Sequence, residues 1–272
     1  MTMTDSQSAQ RILMRLETGV RDVYSSKAWK DYLNVLARFH RYSYRNTLLI
    51  YMQKPDATMI GGYRFWQNEF SRYVRKGEKG IRILVPLRGK NEEDETEITG
   101  WRTGTVFDIS QTDGRPLDIE LVCPPDHAEC DPMFLQALLL ASPVPVYFRK
   151  TPEGVNGYFR PLEGDITIRK GMSPAQSSRT LLHEIAHALL HTENNSCARA
   201  DRIRREIEAE SIAYAVCAYY GIDTSSYSFG YIAAWSENRD LDILRESLAV
   251  IRSTTCSLIG VIDAVRAPQK LS

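Results

Sequence analysis

The chain has 272 residues, 43% of them hydrophobic and 25% charged, which suits a globular protein and excludes wholesale disorder or a fibrous repeat. The formal net charge is zero, but it is unevenly spread. Residues 1–90 carry 17 Lys and Arg against seven Asp and Glu, whereas residues 91–272 carry 17 against 27. Such a split predicts two units with different partners, the first of them a polyanion.

In chain order, apolar residues at three-to-four spacing (Ile12, Val20, Val23, then Trp29, Leu33, Leu36) predict helices over 8–24 and 27–39, broken at Ser25-Ser26. A third helix over 44–53 ends at Lys54-Pro55-Asp56, and a short one follows Gly61-Gly62 over 63–72. After the turn chemistry of Lys76-Gly77-Glu78-Lys79-Gly80, alternation predicts a strand over Ile81–Leu87. Strands are expected near 101–109 and 117–122, with the acidic run Asn91–Glu95 as a solvated loop. The proline-bearing segment Cys123–Asp131 marks the boundary between domains 1–125 and 126–272. Cys123, His127 and Cys130 lack a fourth metal ligand and read as part of that linker.

The second half reads as α+β. It has a helix over 131–141, strands near 144–149, 157–161 and 165–169 with a turn at Asn156-Gly157, and a long helix from Pro174 to about 193. Further helices are expected over 202–220, 229–236 and 240–265. No run approaches the ~20 apolar residues of a membrane span, the densest being Leu135–Ala141. The N-terminus lacks the apolar core of a secretory signal, and five cysteines form no disulfide framework. The expectation is a cytoplasmic protein with no membrane partner.

His183-Glu184-Ile185-Ala186-His187 carries the sharpest chemistry. Four-residue spacing on a helix projects both imidazoles from one face, within reach of one Zn²⁺. Glu184 can then serve as the general base without ligating, and Leu181, Leu182, Ile185, Leu189 and Leu190 predict a dry setting. His191 lies about 12 Å along the axis from His183 and cannot share the ion. The third ligand is expected from the helix over 203–220. There Ala209, Ile212, Ala213, Val216 and Cys217 define a buried face, Glu206 and Glu210 fall on or beside it, and Glu208 points to solvent. Glu206 is therefore the candidate ligand and Glu210 the partner of a liganding histidine. Zn²⁺ is the expected cofactor, with Mn²⁺ or another divalent ion an alternative. Tyr158, Tyr214, Tyr220 and Tyr227 are candidates for stabilising an oxyanion.

Residues 38–90 hold 12 Lys and Arg, three Asp and Glu, and nine aromatic residues. Positive charge follows a phosphate backbone and aromatic faces stack on unpaired bases, so single-stranded DNA is the expected partner. Arg45, Tyr51, Trp66, Tyr73, Arg75, Lys76 and Lys79 are the candidate contacts, with about half of the aromatics expected in the core.

Taken together, Tyr44–Tyr51, Val74–Gly80, Val106–Thr112, Thr180–His191 and Glu206–Glu210 resemble an ArdC-type antirestriction protein. The resemblance covers roughly residues 10–265. It implies an N-terminal single-stranded-DNA-binding domain, a C-terminal zincin-like domain of the ImmA/IrrE (gluzincin) kind, carriage on a mobile element, and His183, His187 and Glu206 as ligands. In that family Asn often stands where this chain has Glu210. The expected function is antirestriction, with a zinc peptidase that cleaves an unidentified protein. Two alternatives stand beside it: a non-proteolytic DNA-binding protein with a structural metal, and a DNA-triggered peptidase acting on a transcriptional regulator.

Overall fold

The computed structural model describes residues 5–90, 96–117, 132–190, 199–237 and 239–267. They form two compact units, 1–123 and 124–272, each with mixed helix and sheet.

The first unit begins with α1 (Asp5–Val23), α2 (Ser26–Arg38) and α3 (Tyr44–Gln53). Ser43 caps α3 by accepting the Asn46 amide at 3.3 Å. Then come β1 (Ile60–Gly61), α4 (Tyr63–Phe70), β2 (Arg72–Val74), β3 (Ile81–Lys90), β4 (Thr96–Asp108), a 3₁₀ turn over Ile109–Gln111, and β5 (Thr112–Gly114). β3 and β4 pair antiparallel, with Ile81 opposite Val106, and β1 lies on the far side of β4. Val35, Phe39, Ile50, Ile60, Ile81, Ile83 and Val106 close a core between α2, α3 and this sheet.

Among the described residues that leaves β3 as an edge strand, a row of backbone groups with no strand partner. Two side-chain amides from α3 take the place of one. Asn46 accepts from the Leu84 amide at 2.8 Å and donates to its carbonyl at 2.9 Å. Gln53, seven residues on and so on the same helix face, does the same at Arg82 with 2.9 Å for both bonds. A second tie is the fully buried Asp108, whose carboxylate accepts the amides of Thr58, Met59 and Ser110 at 2.8–3.1 Å. Gln111 completes a capping box there and donates to the Lys79 carbonyl at 2.9 Å.

The second unit comprises α5 (Pro132–Ala141), β6 (Val146–Arg149), β7 (Gly157–Arg160), β8 (Asp165–Arg169), α6 (Pro174–Leu190), α7 (Arg199–Tyr219), α8 (Ile232–Ser236) and α9 (Leu241–Arg266). Ser173, ahead of Pro174, caps α6 by accepting from the Gln176 amide. The sheet order is β6-β8-β7, with β6 parallel and β7 antiparallel to β8. Asn156-Gly157 is thus not a hairpin turn. Gly157 is the first residue of β7, where a Cβ would meet Thr180 Cγ2 of α6 at 2.6 Å. The glycine sets the close approach of strand and helix.

Two further expectations are corrected. No run is expected from sequence to approach a membrane span, with Leu135–Ala141 the densest, yet α9 is apolar and long enough to cross a membrane by length and composition, with mean hydropathy 1.6 over an 18-residue window. Its Leu244, Leu248, Ile251, Leu258, Ile259 and Ile262 recur at helical spacing and are buried, and this one face packs on α5 and α7. Glu208, expected at a solvated face, is buried because α7 lies between α6 and α9, and its carboxylate pairs with Arg204 at 2.7 Å. Short strands β1, β2 and β5 have too few residues for a readable alternation. The acidic loop, most of the strand predicted over 117–122, the linker cysteines with His127, and His191 lie outside the described residues.

Asn46→Ala should lower the stability of the first unit by about 1–3 kcal/mol, since it strands two backbone groups of the buried Leu84. Gln53→Ala, at the exposed end of α3, should cost less. Urea unfolding followed by Trp29 and Trp66 fluorescence measures both, and an equal or smaller loss for Asn46→Ala would contradict the edge-sealing role.

Candidate metal centre and its clefts

α6 and α7 pack side by side, and their facing side chains converge on one point. His183 Nε2 and His187 Nε2 lie 3.0 Å apart, and Glu206 Oε2 reaches them at 3.5 and 3.6 Å. Among the described residues these three form the one group of His, Cys, Asp and Glu donors close enough to hold an ion, all within 4.8 Å of one another. Donors bound tetrahedrally at ~2.0–2.1 Å are separated by about 3.3 Å. The observed triangle brackets that edge, so the donor set fits Zn²⁺.

Glu210, one turn beyond Glu206, places Oε2 3.1 Å from His183 Nδ1. The contact is out of line for a well-formed hydrogen bond, but it sets a carboxylate against the far side of the ring. Burial alone would depress the His183 pKa. The nearby carboxylates of Glu206 and Glu210 and the charge of Glu184 outweigh it and push the imidazole up to about 10. The two imidazoles in turn hold Glu206 well below the usual carboxylate range, against its partial burial. Two imidazoles beside three carboxylates thus call for a cation, either protons or a metal.

Glu184 is 8% exposed. Burial raises its pKa, while the His183 and His187 charges and the Phe159 backbone amide oppose that rise. A buried carboxyl raised in this way is suited to taking up and releasing a proton. Leu181, Leu182 and Ile185 are fully buried beneath the site, whereas Leu189 is exposed. The dry side is therefore the floor, and the other side opens into two clefts.

One cleft, about 570 Å³, is bounded by Val155–Gly157, Arg179, Thr180, Glu210 and Tyr227. The other, about 560 Å³, is bounded by Tyr158, Phe159, Pro161, Arg202, Arg205 and Glu206. Both share Gly157, His183 and Glu184, so β7, an edge strand of its sheet, borders each. Of the four candidate tyrosines, Tyr158 and Tyr227 line these clefts. Tyr220 is committed elsewhere, donating to Asp263 Oδ1 at 2.7 Å, and Tyr214 is buried against Tyr227 and Phe229. Sequence reasoning passes over Tyr231, whose hydroxyl is pushed up to about 12 by burial and by the charges of Glu210 and Glu206. It also passes over Arg202, although its place four residues before Glu206 puts both on one helix face.

The candidate DNA contacts separate into two groups. Trp66 is fully buried and donates to the Phe107 carbonyl at 3.0 Å, so it belongs to the core and cannot stack on a base. Arg75 is spent on structure, bonding Glu78, Asp113 and the Ser110 carbonyl. Tyr51 is half-buried against the core and Tyr32. Arg45 stacks over Trp101 and Tyr44, at 5.4 and 5.7 Å from the ring centroids. Lys76, Lys79 and Tyr73 are exposed, as are Tyr63, Arg64 and Phe65 on α4.

Comparison with known proteins gives each unit a relative. Residues 4–108 match the family model for the N-terminal domain of anti-restriction factor ArdC. Residues 142–220 match that for the IrrE N-terminal-like domain, a peptidase family. Two crystal structures of the antirestriction ArdC protein from plasmid R388 share the fold. The metal-free one has 22% identity and a TM-score of 0.55, covering 82% of this chain and 86% of that one. The Mn(II)-bound one has 20% identity and a TM-score of 0.57, covering 84% and 86%. An uncharacterized protein of Bacillus anthracis is 25% identical over 94% of this chain and 51% of its own length. The chain thus spans about half of that curated relative. The chain thus joins a domain that matches the ArdC N-terminal family model to one that matches the IrrE-like peptidase model, in that order.

Proposed function

We propose that the second unit is a zinc-dependent peptidase and that the first binds single-stranded DNA, so that a cytoplasmic protein carried on a mobile element protects incoming DNA by cutting a host protein. The observation that carries the peptidase reading is the His183–His187–Glu206 triangle with buried Glu184 beside it, at the junction of two clefts. His183, His187 and Glu206 would hold the ion. When bound, it supplies positive charge that polarises a carbonyl and makes water more acidic. Zn²⁺ suits two imidazoles and a carboxylate, and Mn(II), present in the R388 relative, accepts the same donors.

The chain's own groups do the rest. Glu210 fixes the His183 ring from behind. Glu184 accepts a proton from the attacking water and returns it to the leaving amine, a role its raised pKa supports. The unpaired edge of β7 gives an extended polypeptide backbone groups to bond along both clefts. On the DNA side, exposed Lys76, Lys79 and Arg64 supply charge, and Tyr73 and Tyr63 supply faces for bases.

Elemental analysis of the purified protein should find about one divalent ion per chain. Glu206→Ala should lose most of it while keeping the same circular dichroism. Absence of any ion, with none taken up from added zinc, would leave a DNA-binding protein alone.

Glu184→Gln should retain the ion and DNA affinity but lose protection of transferred DNA in cells, with a drop in peptide hydrolysis of about 10²-fold or more. Undiminished protection would contradict the peptidase reading. Disappearance of one repressor band that depends on Glu184 would instead favour a regulator as substrate.

Ion uptake should also release protons. Without the ion, His183 has a folded pKa of about 10, above its ordinary value of 6.5. Its charged form therefore stabilises the ion-free fold fully below about pH 6.5, and that contribution is lost as pH rises toward 10. Near neutral pH the ion must displace this proton, so titration calorimetry in two buffers of different ionisation enthalpy should read about one proton released per ion. Identical enthalpies in both buffers would contradict it.

A further inference from the structure

The sheet of the second unit has two unlike faces. Ile166, Ile168, Phe159 and Gly157 share one face, which packs on α6, as the contact of Gly157 with Thr180 shows. The opposite face carries Tyr147, Thr167 and Tyr158 in one row across β6, β8 and β7, and Arg149 beside Arg169 in a parallel row. We propose that this second face binds single-stranded nucleic acid, independently of the first unit and of the peptidase reading.

Two observations carry it. The first is aromatic placement. Tyr147 is 41% exposed, and Tyr158 stands two strands away, about 10 Å at the usual strand spacing. Aromatic side chains that share one sheet face form a stacking platform for unpaired bases.

The second is charge. Residues 91–272 carry ten more acidic than basic groups, yet residues 146–170 hold five Lys and Arg against three Asp and Glu. Two of the three acids are engaged at the far end of the sheet: Asp165 accepts from Arg160 Nε at 2.8 Å, and Glu163 lies 3.7 Å from the same guanidinium. The Arg149 and Arg169 row is left net positive, and Lys150 and Lys170, just past the strand ends, are exposed. Arg149 lies over the Tyr147 ring at 4.3 Å and extends the platform with its own plane. Arg169 is anchored by Thr151 and the Pro152 carbonyl, which fixes its charge in place.

Thr167, between the two tyrosines, is fully buried, so contacts to a base fall to Tyr147, Tyr158 and the two arginines.

The acidic surroundings favour a strand confined to this face over general polyanion binding. Base and phosphate chemistry is common to DNA and RNA, so the test separates them. Because Tyr158 also lines the 560 Å³ cleft, a strand on this face ends at the wall of the metal centre.

The test is photocross-linking of the full-length, metal-loaded protein to single strands of about 20 nucleotides carrying 5-bromodeoxyuridine or 5-bromouridine, with adducts mapped by mass spectrometry. Adducts at Tyr147 or Tyr158 are expected, and Tyr147→Ala should reduce those at Tyr158 by about tenfold. Arg149→Ala, at an exposed position, should weaken them and lower their salt sensitivity. They should persist when Lys76 and Lys79 are both changed to Glu. Adducts in DNA alone, RNA alone or both would each uphold the platform and name its ligand. Adducts confined to residues 5–117, or lost with the Lys76 and Lys79 changes, would overturn it.

Discussion

Charge compensation between α6 and α7 is the constraint on which the second unit turns. Two imidazoles four residues apart on α6 face two carboxylates four residues apart on α7, and Glu184 adds a third carboxyl group beside them. Such a set is stable only if the helices stay in register and a cation is shared. The surrounding structure enforces that register. Gly157 lets β7 approach Thr180 of α6, and the Arg204–Glu208 pair lies on the side of α7 turned toward α9, where Arg204 also comes within 3.5 Å of Glu246. A one-residue slip of α7 would exchange Glu206 for an arginine or an isoleucine. The position of the ligand and the packing of the core are therefore one problem.

The sequence made the α6 half of this centre legible because an i, i+4 pair on one helix needs no tertiary information. Glu206 was reachable from the helical wheel, but the same wheel misplaced Glu208. A wheel reports one apolar stripe, and α7 is buried on two sides, so its second buried face, with Ser211, Ala215 and Glu208, resembles a solvated one in composition. The clefts were not legible at all. They arise from β7 and the segment around Tyr227 meeting α6, contacts between residues tens of positions apart. Tyr231 was missed for the same reason.

In the first unit the helices and β3 were readable from periodicity, but the jobs of polar residues were not. Asn46 and Gln53 sit among apolar neighbours and look like ordinary helix polar positions, yet they act as a surrogate strand for β3. Asp108 and Gln111 look like a loop motif and serve as a junction for three backbone segments. Trp66 shows the converse. Interleaving of aromatic and basic residues suggested base stacking, but a helix that packs on a sheet also needs large side chains, and composition cannot separate the two uses.

The arginines sharpen this point. Arg38 donates to the Ala57 and Pro55 carbonyls, Arg72 to Thr112 and the Arg115 carbonyl, and Arg75 to Ser110 and two carboxylates. A guanidinium bonded to a backbone carbonyl keeps its full charge, whereas one paired with a carboxylate is largely cancelled. Arg38 and Arg72 therefore still contribute to the positive field that draws a polyanion, although their donors are not free to grip a phosphate. Arg75, beside Glu78 and Asp113, contributes little to either. Attraction and contact are then different residue sets: the field comes from nearly all the basic groups, while direct bonds fall to exposed side chains such as Lys76, Lys79 and Arg64. On this division, removing an arginine bonded to backbone carbonyls would harm the fold before it changed the affinity, and removing an exposed lysine would do the reverse.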